Sequence, residues 1–386
     1  LDRIHEHIST DTGDSPLSLL AAPRAGVSEL MRQVFDRSFH TGSGPIPFYF
    51  EINGSDRSLR DLASRFLHDF LLQTVAFRRR DAGIIAASPD ICEITELAAP
   101  SDGYWIDRLA EICEMRLSDD RSFVRNCLSG PIRAARQGAA SVVMVDGLHR
   151  LARMTGGMAL IDELRDIYSG AAVRSVFAGH RRFVYERLQF TSVPVEPLAF
   201  EASCDLIDRL SRRTGVAIKD HTRDLIAVEL GGLPGHIYRL FGAAAERDAD
   251  LDTFESVQHV YTDEIFGGRI SLSYDRILEE ILPDGEACAR VVRVLNEASE
   301  QADSRVPLAY FRKHTDINSA ALDELHHNEI VDVEALSVRF ETTNIALTDY
   351  VRGRARLVAG EPRARVVGEA LAAAVSEEDL RAGSLY

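Results

Sequence analysis

Leu17-Ser18-Leu19-Leu20-Ala21-Ala22-Pro23-Arg24-Ala25-Gly26-Val27-Ser28-Glu29-Leu30-Met31 is the stretch on which the fold of this chain turns. Its first six residues, Leu17–Ala22, make a short apolar run of the kind expected of a strand buried on both faces. Beyond Gly26 the period changes. Leu30, Met31, Val34 and Phe35 fall on one stripe, which predicts an amphipathic helix over Val27–Phe39. A strand, a tight turn and a helix in this order bring backbone N–H groups and the positive end of a helix to where they can cradle a phosphate. Laid on G-x-x-x-x-G-K-[ST], the turn keeps the second glycine as Gly26 and the hydroxyl as Ser28. It has Ala21 for the first glycine and Val27 for the lysine, and leaves Arg24 as the cation able to reach a phosphate. A plain strand-to-helix turn with Glu29 in its first helical turn fits the same residues. A serine nucleophile elbow at Gly26-Val27-Ser28-Glu29-Leu30 does not, since Leu30 stands where that elbow needs glycine.

Outward from this turn, short apolar runs alternate with amphipathic ones. Pro47–Ile52, Ser141–Val145 and Arg174–Ala178 read as further buried strands, and Leu59–Val75 and Gly156–Ser169 as helices between them. Arg80–Gly103 is less periodic and reads as an insertion or irregular excursion. Pro194 and Pro197 close the block, because proline disfavours helix interiors and central strands. Helical patterns follow at Phe200–Thr214, His221–Leu230, His236–Glu246 and Asp252–Phe266, broken at Gly231-Gly232-Leu233-Pro234-Gly235. From Asp284 come helices at Gly285–Glu300, Leu308–Lys313 and Ser319–Asn328, extended pieces at Ile330–Val333 and Ser337–Thr342, and a helix at Ile345–Arg356. That is the order of a winged helix-turn-helix.

A second motif lies at Ser141-Val142-Val143-Met144-Val145-Asp146, an apolar strand ending in a carboxylate 118 residues beyond Ser28. A Walker B aspartate that holds Mg²⁺ occupies such a position. The glutamate that often follows it, to polarise the attacking water, is replaced by Gly147. A third motif is Gly231-Gly232-Leu233-Pro234 at a turn between helices. Together with Asp349-Tyr350-Val351-Arg352 in the closing helix, these residues make the chain resemble the STAND branch of AAA+ P-loop ATPases, archaeal-type ATPases included, from about Ser15 to Arg356.

The resemblance implies an α/β, P-loop NTPase-like parallel sheet with helices on both faces, then a helical lid and a C-terminal winged helix-turn-helix. It divides the chain into a core over 1–195, a lid over 196–283, a winged helix over 284–358 and a tail over 359–386. It also implies that Arg24, Gly26, Val27, Ser28, Asp146 and the lid proline Pro234 surround any ATP or ADP, with Mg²⁺ on Asp146 if nucleotide binds. Two departures point to a catalytically degenerate subunit. One lysine contact to phosphate is worth about 1.5–3 kcal/mol, so its loss at Val27 weakens binding roughly ten- to hundredfold. Loss of the glutamate at Gly147 removes the group that orients water. Nucleotide held without turnover, and no nucleotide at all, both remain open. The expected role is regulatory or scaffolding, with other protein subunits as partners in a homo- or hetero-oligomer; proteins of this class occur in bacterial defence systems. The alternatives are an ATPase completed by a partner in trans and a winged-helix DNA-bound regulator.

Composition narrows these choices. The 386 residues carry a formal charge of −16, and only Lys219 and Lys313 are lysines. Across 285–358 nine Arg or Lys face twelve Asp or Glu, and Ser319–Asn328 holds Asp323 and Glu324 without a cation, which disfavours nucleic acid. Arg352, Arg354 and Arg356 are the exception. Cys92, Cys113, Cys127, Cys204 and Cys288 form no CxxC pair and read as packing residues of a reduced, cytoplasmic protein. No run approaches the length of a membrane span, and the His5/His7 and His326/His327 pairs, without third ligands, read as surface residues. Arg181 and Arg182, after the fourth strand, read as a solvated or ion-paired edge.

Overall fold

A computed structural model describes residue 4 and residues 16–114, 119–171 and 173–372. The chain divides into two compact units, one of Leu1–Ala21 with Gly26–Val195 and one of Ala22–Ala25 with Glu196–Tyr386. The His5/His7 pair and the end of the tail lie outside the described residues.

The first unit runs β1 (Leu17–Ala21), α1 (Val27–Thr41), β2 (Ile46–Glu51), α2 (Leu59–Arg79), α3 (Gly83–Ala87), α4 (Ile91–Leu97), α5 (Gly103–Glu114), α6 (Asp120–Leu128) and α7 (Gly130–Ala135). It continues with β3 (Ser141–Asp146), a 3-10 turn (Leu148–Arg153), α8 (Gly157–Tyr168), β4 (Arg174–His180), α9 (Arg181–Leu188) and β5 (Thr191–Val195). The five strands are parallel in the order β2-β3-β4-β1-β5. Because helices cover the sheet, β3 is buried at every position, as its unbroken apolar run requires. On one side α2 brings Phe66 and Phe70 edge-on to Phe48 of β2, with ring centroids 4.9 and 5.3 Å away. Elsewhere α1 buries Met31 and Val34 beside Leu19 of β1 and Met144 of β3.

The first unit ends at Val195, between Pro194 and Pro197, and β5 is an addition to the expected strands, with Pro194 opposite Leu20. Because β5 is an edge strand, a proline lacking its N–H is tolerated where one side has no neighbour. One expectation needs correction: the region Arg80–Gly103 is not irregular. It contains α3 and α4, and α4 starts at a capping box in which Asp90 and Glu93 each bond the other's backbone N–H.

The second unit is helical at first: α10 (Phe200–Thr214), α11 (Asp220–Glu229), α12 (Pro234–Glu246), α13 (Phe254–Ile265) and α14 (Arg269–Ile281). Then come α15 (Gly285–Ser299), β6 (Arg305–Pro307), α16 (Leu308–Thr315), α17 (Ser319–His327), β7 (Val331–Val333), β8 (Ser337–Phe340) and α18 (Ile345–Val358). The three short strands form an antiparallel sheet in the order β6-β8-β7. Helix α14 and strand β6 are additions to the expected elements. The stripe Ile270, Tyr274, Leu278 and Ile281 that α14 buries has helical spacing.

Among the single residues, Cys127 is fully buried and burial pushes its thiol up to about 12. Cys92, by contrast, is exposed on α4 and is not a packing residue. His327 is buried and His326 half-buried with its Nδ1 accepting from the Val333 N–H at 3.3 Å, so this pair is structural rather than superficial. The end of α17 packs on β7, which explains the difference. No helix among the described residues is long and apolar enough to cross a membrane.

Candidate functional site

Ligands of open parallel sheets gather at the carboxyl ends of the strands. In the first unit these ends carry Ala21, Glu51, Asp146 and His180. Gly26 caps α1 with φ 87° and ψ 18°, a left-handed conformation that explains a glycine there. Ser28 follows within the first turn of the helix. Val27 packs against the apolar cluster of Leu17, Leu19, Met31 and Val34, so its side chain serves the core.

Asp146 is 2% exposed, and both its oxygens are engaged. Oδ1 accepts the Gly147 N–H at 2.7 Å and Oδ2 accepts the Tyr49 hydroxyl at 3.2 Å. Burial, followed by the Asp146 and Glu51 carboxylates, pushes the Tyr49 phenol well up, so it stays a donor. Glu51 pairs in register with Asp146 across β2 and β3 and is held by Arg32 at 2.8 Å and Arg150 at 3.4 Å. Arg150 also donates to the Ile52 carbonyl at 2.8 Å. The site is therefore a closed network in which the carboxylates already have donors. Tyr49, Glu51 and Arg32 escape sequence inspection because a phenol within an aromatic strand run carries no local signal of an ionic partner.

Gly147 has φ 79°, and a Cβ placed on it would lie 2.6 Å from the Ile52 carbonyl oxygen. Any side chain there is excluded by backbone on one side and strained by the left-handed conformation. Next to it, the rings of His149 and His180 stack at 3.6 Å with 8° between planes. Burial, then the nearby His180, Arg150 and Arg153, lower the His149 pKa well below the ordinary value.

In the second unit, Gly232 has φ 67° and its missing Cβ would meet the Leu198 carbonyl oxygen at 2.1 Å, while its own carbonyl accepts the Leu198 N–H at 2.8 Å. The Gly-Leu-Pro turn is thus a backbone contact point, and Pro234 opens α12 at its first position. Arg24, at φ 69°, belongs to this unit rather than to the one containing Gly26, Val27, Ser28 and Asp146. Its guanidinium lies 4.1 Å over the Tyr274 ring and donates to the Ser273 carbonyl at 3.4 Å. Stacking on Tyr274 holds Arg24 against α14.

The basic cluster of α18 is divided by ion pairs. Arg354 meets Asp275 at 3.4 Å and Arg356 meets Glu361 at 2.7 Å, which leaves Arg352 without an acidic partner among the described residues. On the antiparallel sheet Arg339 meets Asp332 at 2.8 Å and Arg305 meets Glu334 at 3.0 Å. No group of three or more metal-binding side chains occurs among the described residues.

No protein-family sequence model matches the chain, and no curated protein matches it in sequence. In fold it is similar to the Walker-type ATPase of Pyrococcus abyssi, with a TM-score of 0.51 and 14% identity over 91% of this chain and 94% of that one. It is also similar to the Orc1 protein of Aeropyrum pernix, solved in complex with DNA, with a TM-score of 0.45 and 15% identity over 91% and 89% of the two chains. The parallel five-stranded sheet with its helices has the fold of P-loop ATPases.

Proposed function

We propose that the chain is a catalytically degenerate AAA+ subunit of the STAND type, regulatory or scaffolding in a cytoplasmic protein assembly, in which any bound nucleotide is held without hydrolysis. In this reading residues 1–195 are the core, 196–283 the lid and 284–358 a winged helix that docks on protein. The observation that carries it is Gly147. The catalytic glutamate is missing where the Ile52 carbonyl leaves no room for any side chain, so the backbone itself is built around its absence. Val27 packed against the apolar cluster and Asp146 enclosed by Tyr49 and Gly147 support the loss of turnover. The ion-paired arginines of the antiparallel sheet and an α17 without Arg or Lys favour a protein partner over DNA, since DNA binding requires free cations facing phosphates. The test is ATP turnover by the purified chain with Mg²⁺, alone and with each candidate partner. Hydrolysis appearing only on mixing, and abolished by Asp146→Ala, would instead favour an ATPase completed in trans.

A further inference from the structure

In the second unit α11, α13 and α18, with Val366 and Ala370 of the tail, border a cavity of about 670 Å³. Sites for small organic ligands span roughly 300–1,000 Å³, so this one has the size of a ligand site. Leu225, Phe254, Ile265 and Phe266 give it apolar walls. Gly353 fixes the last of these. A glycine in the interior of a helix costs about 1 kcal/mol relative to alanine, yet a Cβ at this position of α18 would overlap the Phe266 ring. The ring therefore lies directly on the helix backbone.

Asp349 and Arg352, three residues apart on α18 and hence on one face of it, both line the cavity. The Tyr261 hydroxyl donates to Asp349 Oδ2 at 2.7 Å. Burial and then the Asp349 charge push the Tyr261 phenol well above its ordinary pKa, so it stays a donor and anchors the carboxylate to α13. Glu229 adds a second carboxylate to the lining. Arg352 is exposed at the rim and makes no ion pair among the described residues, whereas Arg356 is taken up by Glu361 and Glu369. A carboxylate and an unpaired guanidinium side by side over apolar walls complement an ammonium and a carboxylate on one small centre that also carries an apolar group. A simple anion would face two carboxylates, and a simple cation would leave Arg352 unanswered.

We propose that this cavity binds a free α-amino acid with a large apolar side chain, its carboxylate on Arg352, its ammonium on Asp349 and its side chain against Phe254 and Phe266. The site shares no residue with the turn after β1 or the end of β3, so it stands whether or not the chain hydrolyses ATP. Calorimetric titration of the full chain with L-phenylalanine provides the test, beside phenethylamine and 3-phenylpropionate, which each keep one of the two charges, and glycine, which lacks the side chain. L-phenylalanine is expected to bind, and each of the other three at least about tenfold more weakly. Arg352→Gln should bring L-phenylalanine down to about the affinity of phenethylamine and leave phenethylamine itself unaltered. Asp349→Asn, which keeps an acceptor for Tyr261, should bring it down to about that of 3-phenylpropionate. Because Arg352→Gln breaks no ion pair, its melting temperature without ligand should match the wild type, and its loss of affinity then reports the site rather than the fold. Absence of L-phenylalanine binding overturns the proposal. So does an affinity for it that falls by less than about twofold in both variants, or a single-charge analogue that binds as tightly as the amino acid.

Discussion

Replacing Gly147 with alanine puts a methyl carbon 2.6 Å from the Ile52 carbonyl oxygen. Two costs follow. Holding a residue with a Cβ at φ 79° costs roughly 1–2 kcal/mol. Relieving the overlap requires a shift of the Ile52 carbonyl, which accepts Arg150 at 2.8 Å, and overpacking of this kind costs about 1–3 kcal/mol. The sum, about 2–5 kcal/mol, corresponds to a fall in melting temperature of roughly 4–20 °C for a unit of this size. Gly147→Glu, which places a carboxylate directly after Asp146, should be destabilised at least as much and should gain no ATP hydrolysis. Differential scanning calorimetry and a phosphate-release assay measure the two effects. A Gly147→Ala chain melting within about 1 °C of wild type would refute the steric reasoning, because a cost that small is a fraction of 1 kcal/mol. Turnover by Gly147→Glu would refute the claim that the site is closed to glutamate.

Three further outcomes follow from the same structure. Tyr49→Phe leaves Asp146 Oδ2 without its donor and should cost about 1.5–3 kcal/mol in urea unfolding; an unchanged midpoint would mean the bond contributes nothing. His149 is held neutral by burial, its folded pKa well below the ordinary 6.5, so the unfolded chain binds the proton more readily and stability is lost as pH falls through 6.5. Its contribution to the slope reaches about 1.4 kcal/mol per pH unit. His68, raised chiefly by its bond to Asp69, acts oppositely: its stabilisation is present at low pH and lost as pH rises through its raised value. His149→Asn should therefore flatten the acid side of the stability profile, and an unaltered slope would contradict the assignment. A thiol reagent should label Cys92 in the native chain and Cys127 only on unfolding, and equal native rates would show Cys127 to be accessible.

The parallel strands β1 to β4 are legible in the sequence because burial on both faces writes itself as an unbroken apolar run, as in Ser141–Val145. β5 is hidden because an edge strand is half-exposed and can carry Pro194. Helix α14 is missed although its stripe is regular, since Arg269–Ile281 follows so closely on α13 that the two patterns merge. Gly26, Asp146 and Pro234 each stand in a local sequence motif, whereas the Tyr49 bond to Asp146 joins residues 97 apart and leaves no pattern. The same holds for Arg24, whose stacking partner Tyr274 lies 250 positions away. Gly147 is visible in the sequence as a glycine directly after the carboxylate that ends β3. Its reason, the close approach of Ile52, exists only in three dimensions.

The measurement that bears most directly on a catalytically silent P-loop fold is steady-state ATP hydrolysis by the purified chain with Mg²⁺, beside Asp146→Ala as the control. A degenerate site gives wild-type release of phosphate indistinguishable from that control. Turnover near the ordinary enzyme range of about 1 s⁻¹ or more, lost in Asp146→Ala, would contradict it.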